Sequence, residues 1–237
     1  MALTEWFSFI SVLNKGLNVF FLSSYDNIIG KGTKGMDTLK YRKDDLNELI
    51  EILKEDGMVA IPTDTVYGLA IKASNSENYA SLVKAKGRPE NKPFPLMVSS
   101  YEQIEELVEL DSRARNLMHK FMPGAVTFIF KRKESSFEFL GEQKTLGIRM
   151  ADDPWVLSLI DQLESPIWLP SANVSGMETA ISSDMVKEQL DGRINAYVEG
   201  ICQGGRSSSV FDLTQKNIVC LREGDITLND ILEGEKQ

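Results

Sequence analysis

A chain of 237 residues, 42% of them hydrophobic and 26% charged, is long enough for one large domain or two small ones with a substantial core. Its net charge of -9 argues against a protein that coats nucleic acid with its whole surface, and leaves phosphate contacts to a focused basic patch. One histidine, His119, and two distant cysteines, Cys202 and Cys220, argue against Ser-His-Asp hydrolysis, Cys-His chemistry, HExxH metal sites and a structural zinc site. Catalysis must then draw on Lys, Arg, Ser, Thr, Asn and carboxylates, which stabilise anions better than they shuttle protons at neutral pH. The cysteines read as buried thiols of a reducing, cytoplasmic compartment.

Residues 1–35 hold the apolar stretch Leu17–Leu22, too short to span a bilayer. Glu5 stands where a signal peptide wants positive charge, and no small-residue cleavage site follows. We read 1–35 as an appendage outside the catalytic core without a membrane role, or alternatively as an extra strand or helix packed on the core, and 36–237 as the folded domain.

From Asp44 onward the pattern is regular. Leu46, Leu49, Ile50 and Leu53 predict a helix behind an Asp cap, with Gly57 as its C-cap. Met58–Ile61 predicts a buried strand, Thr63-Asp64-Thr65 a polar turn, and Val66–Ile71 a second apolar run. A helix through Tyr79, Leu82 and Val83 leads to a Lys-Gly-Arg turn, followed by a strand at Phe94–Val98. Ser100 and Gln103 form a capping box for a helix over Ile104 and Leu107, and another helix ends before Pro123-Gly124. Strands at Ala125–Lys131 and Thr145–Met150 precede a helix with Pro154 in its first turn. Ile167–Leu169 runs into a Ser-Ala-Asn loop, and Ser182 or Ser183 caps a helix to Leu190. Three short strands near Ile194–Val198, Ser209–Leu213 and Ile218–Leu221 and a helix over Ile226–Leu232 complete the series. Interleaved strands and helices predict an α/β or mixed α+β single domain, a twisted mixed sheet with helices packed on it.

Four segments carry candidate chemistry. Lys84 to Lys92 gathers four cations and one anion, broken by Gly87 and Pro89, so Lys86 and Arg88 project from a rigid turn. The same composition also suits a solvated helix end. Ser171, Asn173, Ser175 and Gly176 lie beyond the C-terminal end of a buried strand, where ligands of open α/β sheets gather. Thr63 to Gly68 offers hydroxyls for a small pocket or a plain polar hairpin. Gly204 to Ser209 offers flexible backbone and hydroxyls without P-loop spacing.

Taken in order, these segments resemble one family. Pro62-Thr-Asp-Thr-Val-Tyr-Gly-Leu69, Lys86-Gly-Arg-Pro89, Pro123-Gly124 with Thr127 and Gly147-Ile-Arg-Met150 are followed by Pro170-Ser-Ala-Asn-Val-Ser-Gly176, Ser208-Ser-Val-Phe-Asp212 and Leu221-Arg-Glu-Gly224. Together they resemble the YrdC-like threonylcarbamoyl-AMP synthases from about Leu46 to Leu232. The resemblance implies a concave basic cleft and the conversion of L-threonine, bicarbonate and ATP with Mg²⁺ to threonylcarbamoyl-AMP and pyrophosphate, with no structural metal. It implies tRNA and a downstream transfer complex as partners, since the product supplies the threonylcarbamoyl group of a modified adenosine beside the anticodon.

By the same resemblance, Lys86 and Arg88 are the catalytic cations. ATP is held by Lys86, Arg88, Lys92, Thr145, Ser171, Asn173, Thr179 and Arg222, and threonine by Thr65, Tyr67, Arg149 and Ser208. Met97 stands near where many members carry a histidine. The related hydrogenase-maturation enzymes carry zinc-finger cysteines, which this chain lacks. A rival from another class is a paralogue with lost or altered activity that uses the cleft to bind tRNA or double-stranded RNA, and the charge of -9 counts against it.

Overall fold

The computed structural model describes residues 37–87 and 93–235. Residues 1–35, Arg88 and Lys92, all singled out from sequence, lie outside the described residues. The described chain holds eleven strands and seven α-helices. The strands are β1 (Leu39–Tyr41), β2 (Val59–Ile61), β3 (Gly68–Lys72), β4 (Leu96–Met97), β5 (Val108–Glu109), β6 (Val126–Arg132), β7 (Thr145–Arg149), β8 (Ile167–Trp168), β9 (Ala196–Val198), β10 (Ser209–Asp212) and β11 (Val219–Arg222). The helices are α1 (Leu46–Lys54), α2 (Ser76–Lys86), α3 (Tyr101–Leu107), α4 (Ser112–Phe121), α5 (Pro154–Leu163), α6 (Ser183–Leu190) and α7 (Leu228–Glu235).

All strands join one mixed sheet in the order β1-β9-β2-β3-β8-β4-β7-β6-β10-β11, with β5 paired to β6. Parallel pairs (β1 with β9, β9 with β2, β4 with β7, β6 with β10) are mixed with antiparallel ones, three of which run consecutively from β2 to β4. This is the expected mixed α/β single-sheet class. Two short edge pieces, β1 and β5, were not predicted; at three and two residues they are below the length at which alternation shows.

Helix ends follow local chemistry. Asn75, Ser100, Asp111, Asp153 and Ser182 each accept a backbone N–H of the first turn, and Pro154 sits in the first turn of α5. Gln103 reaches back as the box requires but one residue further, accepting from Ser99 N–H at 2.9 Å. The first helix differs from expectation. Asp45 accepts from the upstream Arg42 N–H instead of capping α1. Asp56, not Gly57, takes the left-handed conformation (φ 60°) after α1. Gly57 is needed for space, since a Cβ there would stand 2.6 Å from Ile52 Cγ2.

The core has two clusters. The larger includes Phe128, Phe130, Leu146, Ile148, Trp168 and Phe211, with residues of α2, α3, α4 and α6. The smaller packs α1 and α5 together over β2, β8 and β9 through Leu49, Leu53, Leu159, Ile160, Ile167 and Val198. Period-two alternation assigns each strand's residues to opposite faces. In β6, β7 and β10 the residues Phe128, Phe130, Leu146, Ile148 and Phe211 enter the larger cluster, while Thr127, Ile129, Gly147, Arg149 and Val210 face a cavity. Among the described residues, no helix is long and apolar enough to cross a membrane.

Candidate active site

The cavity has a volume of about 320 Å³. Strand register builds its floor. Met97 pairs with Arg149, and Phe128 with Ile148, so the next residues along, Thr127 and Arg149, adjoin. Thr127 pairs with Val210, and Val210 with Arg222. Five strands therefore contribute one row: Met97, Arg149, Thr127, Val210, Arg222. The loop before β3 adds Thr65 and Val66, the segment before β4 adds Pro93 to Pro95, and the loop before β10 adds Ser207 and Ser208.

Arg149 is the central group. It is only 6% exposed; its Nε donates to Gly124 O at 3.1 Å, Nη1 to Thr65 Oγ1 at 2.7 Å and Nη2 to Asp64 Oδ1 at 2.5 Å. A guanidinium has five N–H donors, so the remaining two are available to a ligand. Asp64 is itself fixed by Asp152 N–H on its second oxygen. Thr63 orders the turn that presents Thr65, with its hydroxyl 3.1 Å from Thr65 Oγ1 and donating to Val66 O at 2.7 Å.

A second guanidinium approaches from β11. Arg222 donates through Nε to Ser208 O at 2.9 Å and through Nη2 to Ser208 Oγ at 3.2 Å, and that hydroxyl lies 2.9 Å from Thr127 Oγ1. Burial pushes the pKa of Arg149 below the ordinary arginine range while Asp64 pulls it back. Burial, then repulsion from Arg149, pushes Arg222 down as well. Two partly desolvated cations with mutual repulsion favour an anion between them. No carboxylate stands among the described lining residues.

Lys86 does something the charge cluster did not suggest. It is the last residue of α2, and Gly87 in the left-handed conformation (φ 57°) ends the helix just after it. Its side chain is buried, and its ammonium reaches into the Ser-Ala-Asn loop. There it donates to Ser171 O, to Asn173 O at 2.9 Å and to Asn173 Oδ1 at 3.2 Å. Asn173 holds the loop with the rest of its amide, donating to Val174 O and Met177 O, while Ser171 Oγ donates to Asn173 Oδ1 at 2.6 Å. The loop abuts β3 at Gly68, where a Cβ would stand 2.5 Å from Leu169 Cγ.

Of the residues singled out from sequence, Thr65, Thr145, Arg149, Ser171, Ser208 and Arg222 line the cavity. Lys86 and Asn173 support the loop that carries Ser171. Tyr67 is placed elsewhere: it is fully buried, its hydroxyl donates to Val198 O at 2.9 Å, and burial raises its pKa. Thr179 is half-buried and outside the lining. Sequence reasoning assigned no role to Asp64, Thr127 or Gly147, although all three lie inside motifs it had marked. Gly204 serves close backbone approach, since a Cβ on it would stand 2.7 Å from Asp64 O, while Gly205 takes a positive φ (67°) and donates its N–H to Thr65 O at 3.1 Å.

Two arginines, six hydroxyl-bearing residues and apolar walls make a concave site of the kind that suits a small anionic organic ligand. The family model Sua5_yciO_yrdC, described as "Telomere recombination", matches residues 51–224. A threonylcarbamoyl-AMP synthase of Bacillus subtilis (strain 168) is 35% identical over 199 residues, covering 82% of this chain and 58% of that protein. One of Pyrococcus abyssi (strain GE5 / Orsay) is 35% identical over 182 residues, covering 76% and 54%. The chain thus spans little more than half the length of these relatives. The crystal structure of P. abyssi Sua5 complexed with L-threonine superposes with a TM-score of 0.78 at 32% identity, over 83% of this chain and 60% of that one. The chain belongs to the Sua5/YciO/YrdC family.

Proposed function

We propose that this chain is a threonylcarbamoyl-AMP synthase, a nucleotidyl-transferring enzyme that makes threonylcarbamoyl-AMP and pyrophosphate from L-threonine, bicarbonate and ATP. The observation that carries the proposal is the cavity in which Arg149 and Arg222 converge with the hydroxyls of Thr65, Thr127 and Ser208. The names of the relatives and the threonine complex of the P. abyssi protein support it.

In this reading the two remaining N–H groups of Arg149 grip the threonine carboxylate, with Thr65 and Ser208 beside it. The threonine nitrogen bonds to the carbon of bicarbonate and water leaves, giving a carbamate. A carbamate oxygen then bonds to the α-phosphorus of ATP as the bond to the β-phosphate oxygen breaks and pyrophosphate departs with that electron pair. No strong side-chain base is needed; positioning and charge neutralisation lower the barrier. Arg222, Thr145 and Ser171 face the nucleotide. Lys86 holds Ser171 and Asn173 in place and sets a buried positive charge beside them. Arg88 and Lys92 are assigned to the polyphosphate, together with the Mg²⁺ that arrives on ATP. Residues 36–237 form the catalytic domain, acting in the cytoplasm, and the product feeds threonylcarbamoyl transfer to tRNA.

Pyrophosphate release by the purified chain tests this directly. Release should require ATP, threonine and bicarbonate together. Release that continues without threonine refutes the assignment.

A further inference from the structure

Gly147 stands in the middle of β7, where glycine is normally a weakness. A strand-interior glycine loses more backbone entropy on folding than other residues and contributes no side chain to packing. It survives in such a place when the backbone needs a positive φ or when another group must come close. Gly147 is not among the residues with positive φ. Nothing in the protein crowds it either: an added Cβ would meet Thr127 Cγ2 at 3.5 Å and Ile129 Cγ1 at 3.9 Å, ordinary contacts. Gly57 and Gly68, by contrast, would bring a Cβ to 2.6 Å and 2.5 Å from a neighbour. The space above Gly147 is the cavity itself. What excludes a side chain there is therefore something the cavity holds.

Its neighbours indicate which part of the ligand that is. Thr145, Gly147 and Arg149 are successive residues on the cavity face of β7, about 6.6 Å apart along the strand. Arg149, nine-tenths buried with two N–H groups still to satisfy, anchors one end. Five bonds separate the carboxylate carbon of threonylcarbamoyl-AMP from its phosphorus, roughly 6 Å when extended. With the carboxylate on Arg149 and the chain of the ligand laid along β7, the bond between carbamate and phosphate falls over Gly147. The nucleoside continues toward Thr145.

We infer that Gly147 keeps the cavity floor bare so that the carbamoyl–phosphate linkage of the acyl-adenylate rests on the backbone of β7. The inference rests on the function proposed above. It identifies Gly147 as a contact for the reacting atoms, and it gives stability and activity opposite signs.

Gly147→Ala should unfold at the same temperature as wild type or higher, because alanine fits and stiffens the strand. Its threonine-dependent pyrophosphate release should fall about a hundredfold in kcat/KM, since the added methyl displaces the reacting atoms by about 1 Å. Threonine alone should bind as it does to wild type, by calorimetry, because its amine stops short of the methyl group. Gly147→Val should abolish turnover. Unchanged turnover in Gly147→Ala overturns the inference, and so does a lowered melting temperature, which would mean that packing requires the glycine. Loss of threonine binding also overturns it, since the glycine would then clear the amino acid and not the linkage. If wild type itself shows no threonine-dependent release, the functional assignment fails first and this inference falls with it.

Discussion

The two faces of β6, β7 and β10 are made from the same residues taken alternately, yet they obey different rules. One face presents Phe128, Phe130, Leu146, Ile148 and Phe211, all at most 2% exposed, to the larger core. The other presents Thr127, Ile129, Gly147, Arg149 and Val210 to the cavity. The first face is filled to the density of a protein interior, so removing atoms leaves a void. The second is deliberately incomplete. It holds Arg149, in mutual repulsion with Arg222 of the neighbouring β11, donors with no protein partner and a glycine that packing does not require. Stability and function are thus separated by one residue's step along each strand.

Mutations on the two faces should separate in the same way. The largest effect is expected from Phe128→Ala. Its ring contacts Phe121, Phe130 and Phe211, and truncation should lower the unfolding free energy by about 3–5 kcal/mol in urea titration. Catalytic rate per folded molecule should be retained; a selective loss of rate at unchanged stability would break the division between faces.

Arg149→Lys should show the converse. Lysine keeps the charge opposite Asp64 but loses the planar fork. We expect kcat/KM for threonine to fall about a hundredfold, roughly 2–3 kcal/mol of transition-state binding. The melting temperature should fall only slightly, because the Asp64 carboxylate keeps a cation. A KM for threonine equal to that of wild type would remove Arg149 from the amino-acid site.

The smallest effect sharpens the comparison at Tyr67, named as a threonine contact from sequence and found in the core. Tyr67→Phe should leave threonine KM unchanged and cost about 1 kcal/mol, since Val198 O loses its donor. Burial raises the folded-state pKa of Tyr67 above its unfolded value near 10. The neutral hydroxyl therefore contributes full stability below about pH 10, and that contribution is lost as pH rises further, because the unfolded chain ionises first. Tyr67→Phe should lose this part of the alkaline decline in stability. Equal slopes for the two proteins above pH 10 would mean that the hydroxyl is not sequestered.

Much of this architecture is legible in the chain itself. Helix starts at Asn75, Ser100, Asp111, Asp153 and Ser182 are local matters of one side chain and one backbone N–H. The strands β6, β7 and β10 alternate over four to seven residues, and the ordered motifs gave the family. What failed was of two kinds. Very short strands such as β5 are defined by their partner and not by their own pattern. The end of α1 was misread because a left-handed residue followed by glycine looks locally like a glycine cap; only the packing of Ile52 distinguishes them.

The amino-acid sequence alone therefore determined the fold class, most helix starts, the family and several of the residues that line the cavity, because these depend on neighbours within a few positions or on motif order. The tertiary structure decided which way each side chain works. It turned Lys86 inward onto the Ser171 and Asn173 oxygens, sent Tyr67 to Val198, and brought Asp64 to Arg149 across 85 positions of chain. It also revealed that Gly147 has room for a side chain it does not carry. Those are long-range facts of register and burial: a one-residue step along a strand exchanges core for cavity, and only the pairing of strands sets that step.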